Sequence, residues 1–172
     1  ALLGGFFAGG LVEETLKFLV LYLYVLKEKA FNEPMDAIVY GVVVSLGFAT
    51  LENIDYVFNV DWGGVVTSQD VAFYRSFSAI PLHGLCGVIM GFNFGKYVFT
   101  SDTKYLSYSL VAPILVHGFY NFIVGYNFIL ALIIIIIALI FSIKIHSSLK
   151  NLQKNKKNEN EKKKNLILLI KY

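Results

Sequence analysis

The chain has 172 residues, a net charge of +3, a hydrophobic fraction of 56% and a mean hydropathy of +0.63. This composition excludes an ordinary soluble domain, and apolar runs of about 20 residues recur, long enough to cross a bilayer as helices. Strand-like alternation is absent, which argues against a β-barrel. We therefore predict an all-α, polytopic membrane helix bundle with about five transmembrane helices.

The apolar runs predict five spans in chain order, at residues 2–26, 36–60, 71–99, 105–125 and 128–145. Pro34 suits the start of the second helix. The loop over 61–70 has no Lys or Arg and carries Trp62 at a predicted membrane interface. Because the sequence has no initiator Met and begins within an apolar run, we expect upstream sequence to be missing.

Basic residues predict the orientation of these spans. Nine of the fifteen follow residue 143, Lys27 and Lys29 follow the first span, and Lys96 and Lys104 flank the turn after the third. Cytoplasmic loops are enriched in Lys and Arg, so the tail and both connections are predicted to be cytoplasmic. We divide the chain into a transmembrane domain over 1–146 and a Lys/Asn-rich cytoplasmic tail over 147–172.

The tail composition predicts disorder over 147–165 and contact with anionic lipid of the bilayer. Nucleic-acid binding is not expected, because the Lys-rich stretch has no interleaved aromatic residues for stacking. His146 beside it is predicted to be an interfacial, solvated residue. The fifth span is almost pure Leu, Ile and Ala before Ser142, and it predicts a lipid-facing anchor without chemistry.

The first span contains three charged residues, Glu13, Glu14 and Lys17. A charge at the centre of a membrane helix costs roughly 2.5–3.5 kcal/mol on the insertion scale, so these side chains are predicted to face protein or a wet cavity. Lys17 can pair with Glu13 at i,i+4 or with Glu14 at i,i+3. Either pairing leaves one of the two carboxylates without a basic partner in this span, which indicates a functional role for that carboxylate.

Three more polar residues are predicted at the same depth as Glu13. At about 1.5 Å per residue, Glu13 lies roughly 17 Å below the outer face, Glu52 and His117 roughly 12 Å, and His83 roughly 12–18 Å. Two carboxylates and two imidazoles can therefore meet in one cavity. A carboxylate can act as general base on water, and a His/Glu set can hold zinc. Both kinds of chemistry favour hydrolysis inside the membrane.

Structural roles for the same residues remain open. His83 begins an i+4 row with Gly87, Gly91 and Gly95, which is typical of close helix packing, and it could donate to a backbone carbonyl there. His117 could pair with Asn121, one turn later on the same face. Arg75 could snorkel to the interface, and Asn53 could only pack.

The polar residues belong to four motifs, one per span. They read Glu13-Glu14-x-x-Lys17, Phe48-x-x-x-Glu52-Asn53, Arg75 with Pro81-x-His83-x-x-x-Gly87-x-x-x-Gly91, and His117-Gly118-x-Tyr120-Asn121. In this order they resemble the motifs of the PrsW family of intramembrane proteases, which is related to the type II CAAX prenyl endopeptidases. The HExxH pattern of the common zinc proteases is absent.

The resemblance implies roles for nine residues and a membrane-bound protein as substrate. Glu13 or Glu14 would activate water, with Glu13 favoured, and Asn121 would assist as an oxyanion or substrate donor. The implied ligands of a divalent metal, zinc by expectation, are Glu52, His83 and His117. Lys17, Asn53 and Arg75 would support them. A metal-free glutamate mechanism is the alternative within the resemblance, with the same residues as polar partners.

Two functions of other classes stay open at the level of the sequence. A proton- or ion-coupled transporter would use buried Glu and His as relays, although no internal repeat is visible. A non-catalytic membrane scaffold could retain the four motifs. The sequence leaves the substrate and the oligomeric state undetermined.

Overall fold

A computed structural model of the chain describes residues 4–61, 63–64 and 66–170, and this part contains helices and no strand. A π-helical segment, Gly4–Glu13, leads into α1 (Glu14–Leu23), and the other helices are α2 (Pro34–Phe58), α3 (Ser68–Phe77), α4 (Ala79–Thr100), α5 (Lys104–Val124) and α6 (Phe128–Ile170). Four helical stretches are long and apolar enough to cross a membrane: Pro34–Phe58, Ser68–Thr100, Lys104–Val124 and Phe128–Lys163. The predicted all-α membrane bundle is confirmed. Trp62, Leu2 and the last two residues, 171–172, lie outside the described part.

The first predicted span is a continuous helical stretch that changes from a π-helix to an α-helix. Its π-helical half packs against α5, where a Cβ on Gly10 would lie 2.9 Å from the Ile114 carbonyl oxygen and 3.0 Å from the Gly118 Cα. A residue with a side chain at position 10 would hold the two backbones further apart. The π-helical half ends at Glu13 and the α-helix begins at Glu14, so the change of helix type falls between the two carboxylates.

The third predicted span is interrupted. The backbone of Ser78 departs from helical geometry (φ −125°, ψ −75°) and separates α3 from α4. Pro81 explains the break, because it has no N–H to donate to the Phe77 carbonyl and its ring would clash with that group. The result is a short helix, α3, that is separate from α4 and packs against both α2 and α4.

The glycine row of α4 packs closely against a neighbouring helix, as predicted, and the structure shows that this helix is α2. An added Cβ on Gly87 would lie 2.5 Å from the Gly41 carbonyl oxygen, and one on Gly91 would collide with the Ala37 carbonyl. The α2–α4 interface is the most extensive in the bundle. It holds Glu52 of α2 and His83 of α4 in a common register.

The predicted disorder of the tail is wrong, because α6 continues as a helix to Ile170. Leu149 is fully buried, Gln153 donates a hydrogen bond to Glu33 at the start of α2, and Lys156 lies 4.0 Å from the Phe99 ring centroid. Lys, Glu and Gln have good helix propensity, and the apolar helix before them removes the nucleation cost. The membrane half of α6 also buries one stripe, which includes Ala131, Ile135, Ala138 and Ile145.

Candidate active site

The carboxylates and imidazoles expected at one depth meet between the first span, α2, α4 and α5. His117 Nδ1 lies 2.7 Å from Glu14 Oε1, and His83 Nε2 lies 2.8 Å from Glu52 Oε2. The two imidazole rings pack edge to face with centroids 4.9 Å apart. Both histidines are 1% exposed. The cluster therefore links four separate parts of the chain inside the bundle.

Lys17 lies at the centre of this cluster and is fully buried. Its Nζ is 2.6 Å from Glu14 Oε1, 2.8 Å from His83 Nδ1 and 3.6 Å from Glu13 Oε2. The i,i+3 pairing thus prevails over the i,i+4 one. Because an ammonium has only donors, His83 Nδ1 accepts, and in a neutral ring Nε2 carries the proton that is donated to Glu52.

Arg75 of α3 reaches the cluster and does not snorkel. Its Nη2 lies 2.6 Å from Glu52 Oε2, its Nε donates to Asn53 Oδ1 at 2.5 Å, and its guanidinium lies 4.1 Å from the Tyr56 ring centroid. Asn53 is therefore a partner of Arg75. Glu52 Oε2 receives both Arg75 and His83, so α3 is coupled to the centre of the site through one carboxylate oxygen.

Glu13, His83 and His117 form the group with the geometry of a metal site. One ligand atom from each lies within 4.8 Å of the other two. Glu13 Oε2 is buried without a hydrogen-bond partner among the described residues. The contact of His117 with Glu14 uses Nδ1, so Nε2 is the nitrogen on the far side of the ring. A carboxylate on the far nitrogen of a ligating histidine is the usual outer-shell arrangement of metal sites.

A cavity of about 550 Å³ opens beside the cluster, and its wall includes Glu52, His83, His117 and Asn121. Asn121 contacts Gly9 of the π-helical segment, where a Cβ would collide with the Asn121 amide and lie 3.7 Å from His117 Nε2. Glycine at this position makes room for both side chains. The volume of the cavity lies in the ~300–1,000 Å³ range of ligand pockets.

The structure brings together all nine residues to which the family resemblance gives a role, and it divides them into adjoining sets. Glu13 lies within ligand distance of His83 and His117, Glu14 contacts Lys17 and His117, and Lys17 contacts His83. The second set, Glu52, Asn53 and Arg75, adjoins His83, while Asn121 lies on the cavity wall. His146 is exposed on α6, as predicted.

Tyr56 was not identified from the sequence. It lines the cavity and stacks under Arg75. The signal was present, because Tyr56 follows Glu52 by four residues and so lies on the same face of α2. Its contact with Arg75 required knowledge of where α3 packs.

The helical spans define an integral membrane protein. The Glu/His cluster that they enclose has the donor types found in metal-dependent hydrolases. Residues 1–145 match the family described as PrsW family intramembrane metalloprotease, and the chain belongs to this family. The proposed resemblance is thus confirmed. No solved structure matches the chain.

Several curated relatives carry the name Protease PrsW. That of Bacillus subtilis strain 168 is 46% identical over 121 residues, 69% of this chain and 52% of the relative. Those of Clostridioides difficile strain 630 and Geobacillus kaustophilus strain HTA426 are 36% and 40% identical, over 92% and 67% of this chain and 65% and 49% of the relatives. The chain spans about half to two thirds of the length of these relatives.

Proposed function

We propose that this chain is the catalytic helical region of a protease that cleaves membrane-bound polypeptides. The observation that carries the proposal is the convergence of Glu13, His83 and His117 within 4.8 Å inside a membrane bundle, beside a cavity. Water does not enter the hydrocarbon region freely, so hydrolysis there needs buried polar groups that hold and activate it. The names of the relatives support the same function.

Glu13 is the proposed general base. Its oxygen Oε2, which has no hydrogen-bond partner among the described residues, takes a proton from water as the water oxygen attacks the carbonyl carbon of the scissile bond. Asn121 donates a hydrogen bond to the carbonyl oxygen as it becomes negative. The proton then passes from Glu13 to the leaving amide nitrogen as the C–N bond breaks. Glu14 is a positioning residue, because it is already engaged by Lys17 and His117.

His83 and His117 are the proposed nitrogen ligands of a divalent metal, with zinc the ion that suits imidazole and carboxylate donors. When bound, the metal supplies Lewis-acid polarisation and lowers the pKa of water. The spacing of the two imidazoles, each with a ligand atom within 4.8 Å of the other and of Glu13, supports such an ion beside the Glu13 carboxylate. The structure favours Glu13 over Glu52 as the nearby carboxylate, because Glu52 is held by Arg75.

A metal-free form of the same chemistry is supported by one contact. Both ring nitrogens of His83 are hydrogen-bonded, with Nδ1 to Lys17 and Nε2 to Glu52. In this form Glu13 alone activates the water, Asn121 donates to the developing oxyanion, and His83 is a polar partner that holds Lys17 and Glu52 in place. The two forms differ in metal content, which is measurable.

The test uses the full-length protein in lipid and a membrane-anchored reporter substrate. Glu13→Gln and His117→Ala should each lower the rate of cleavage by about 10²-fold or more, since they remove a base and a site imidazole. Glu28→Gln and His146→Ala, which change exposed residues outside the cluster, are the matched controls and should cleave normally. Normal cleavage by both site variants would refute the proposed function at these residues.

Metal analysis of the same preparations separates the two forms. The zinc form predicts about one bound zinc in wild type and in His146→Ala, and loss of zinc in His117→Ala. Full activity without bound metal would establish the metal-free form.

We also propose that the tail of this chain is cytoplasmic. The contacts of Gln153 with Glu33 and of Lys156 with Phe99 bring the tail to the same end of the bundle as the connections that carry Lys27, Lys29 and Lys96. The bundle thus has one strongly basic end, which the positive-inside rule assigns to the cytoplasm.

A further inference from the structure

The residues that line the cavity change along α5 from His117 and Asn121 to Val124 and Gly125, roughly 10 Å further along the helix, which gives the cavity a polar and an apolar end. Its polar end is formed by the site residues, including Glu52, His83 and His117. The rest of the wall is mostly apolar and is made by α3, the start of α4, the end of α5 and the start of α6, with Val71, Leu82, Val124 and Phe128 among its residues. None of the catalytic roles proposed above uses this apolar end.

Gly125, at the end of α5, lines the same cavity. Its backbone has ordinary right-handed dihedrals (φ −70°, ψ −15°), which any residue can adopt. A Cβ added there would meet no described atom within 4 Å. The backbone therefore does not require glycine at this position, and the missing side chain leaves open space at the cavity wall.

We propose that the apolar end of this cavity is a specificity subsite, which binds a bulky apolar side chain of the substrate next to the scissile bond. This inference rests on the proposed function, because the occupant is a residue of the polypeptide that the cluster cleaves. The occupant is argued from continuity: a side chain in the apolar end extends from a backbone at the polar end, within reach of His83 and His117. The substrate class is thus a membrane polypeptide with a residue such as Leu or Phe beside the cleaved bond.

The same geometry assigns Gly125 as the residue that keeps the subsite open. An added Cβ meets no described atom within 4 Å, so a larger side chain is expected to extend into space that the substrate side chain would occupy. The expected effect falls on the discrimination between large and small substrate residues. In apolar pockets, differences of one or a few methylenes are worth about 10- to 200-fold in kcat/KM.

The experiment uses the full-length protein in nanodiscs and a membrane-anchored reporter whose cleavage site has been mapped by mass spectrometry. The residue on each side of the cleaved bond is replaced in turn by Ala, Leu and Phe, and kcat/KM is measured for each reporter. Wild type should prefer Leu or Phe over Ala by about 10-fold or more on one side of the bond. Gly125→Leu should reduce this ratio to near one, and Gly125→Ala should reduce it partly.

Gly47→Leu is the matched control. Gly47 lies on the exposed face of α2, where an added Cβ also meets nothing within 4 Å, and this variant should keep the wild-type ratio. Because the readout is a ratio between reporters on one preparation, a change in the amount of folded enzyme cancels.

The outcomes separate the subsite from the function on which it rests. If wild type cleaves the reporters without a preference, or if Gly125→Leu cleaves them with an unchanged preference, the subsite is refuted and the proteolytic function stands. If lipid acyl chains, and not the substrate, occupied the apolar end, Gly125→Leu would leave the preference between reporters unchanged, and this result also refutes the subsite. If wild type cleaves none of the reporters, the proposed function and the subsite fail together.

Discussion

At the scale of single residues, Lys17 determines how the two adjacent carboxylates differ. A fully buried lysine requires partners, and Lys17 takes Glu14 and His83 as its closest ones. Glu14 Oε1 is thereby hydrogen-bonded to both Lys17 and His117, whereas Glu13 has only the longer ion-pair contact of 3.6 Å to Lys17. Two neighbouring residues of the same type thus have different environments, which is the usual origin of separate catalytic and positioning roles.

Arg75 is expected to act through Glu52. Replacing Arg75 by Gln removes the charge that meets Glu52 Oε2 and leaves Asn53 without its donor. Changes to such outer partners typically cost about 10- to 100-fold in activity or metal affinity, and we expect a fall of this size in kcat/KM for the reporter. Arg75→Lys should recover only part of it, because an ammonium cannot reproduce the guanidinium fork.

Lys104→Gln is the control for Arg75→Gln. Lys104 also forms an ion pair, with Asp102 at 2.7 Å, but both side chains are solvent-exposed. Surface pairs contribute about 0–1 kcal/mol, so this variant should cleave at the wild-type rate. Wild-type activity of Arg75→Gln would show that Glu52 does not depend on α3.

At the scale of elements, the contact of α2 with α4 supports the site. Membrane helices gain little from the hydrophobic effect against each other, so close backbone approach through small residues supplies much of their packing. Gly41 faces Gly87, and Ala37 faces Gly91. This register places Glu52 against His83, so the packing of the two helices and the geometry of the site are linked.

Gly91→Ala should destabilise the bundle. The new methyl group would collide with the Ala37 carbonyl and lie 2.8 Å from Ile38 Cα, which are backbone atoms that cannot move without shifting α2. Overpacking of this kind costs about 1–3 kcal/mol, measurable as a lower midpoint of unfolding in detergent. Cleavage should fall with it as Glu52 and His83 separate.

Gly47→Ala tests whether this cost comes from the contact and not from changing any helical glycine. Its methyl group meets open space on the same helix α2, so it should be neutral or stabilise by up to about 1 kcal/mol. Equal destabilisation by both substitutions would contradict the packing argument.

At the scale of the whole molecule, the two ends of the bundle differ in charge and in role. The Lys-rich part of α6 contacts the end where α2 begins, through Gln153 and Glu33. The opposite end carries α3, Arg75 and the start of α6, where Tyr74 packs on Phe128 with ring centroids 5.5 Å apart. The cavity lies toward this second end.

Membrane-impermeant maleimide labelling of intact cells should report this sidedness. In a full-length protein without other cysteines, with Cys86→Ser, single cysteines are introduced by Asp61→Cys, Glu28→Cys and Glu159→Cys. The positive-inside rule predicts that Asp61→Cys is labelled in intact cells and that the other two react only after lysis. If Glu28→Cys and Glu159→Cys are labelled under the same conditions, the tail and the connection after the first span lie on the same side of the membrane, as the contact of Gln153 with Glu33 requires. The reverse pattern at all three would overturn the cytoplasmic tail and leave the fold intact.

The sequence by itself determined the class of fold and which charged and histidine side chains would come together. Hydropathy and length predict spans because a bilayer admits only helices of sufficient apolar length, and charged residues within them must converge because lipid cannot solvate them. Glu13, Glu52, His83 and His117 could be placed at one depth by counting residues. The helical tail was missed because its residues contact Glu33 and Phe99, which are more than 50 positions away in the chain.

Only the tertiary structure decided how the polar residues pair. Helical spacing allows Lys17 to reach either glutamate, and depth allows Glu52 to approach either histidine, so the sequence leaves several pairings equal. The crossing of α2, α4 and α5 removes this freedom: it directs Glu14 to His117, Glu52 to His83 and Arg75, and leaves Glu13 between the histidines. Pairing depends on the rotation and separation of packed helices, which distant glycines such as Gly10 and Gly91 set through backbone contact.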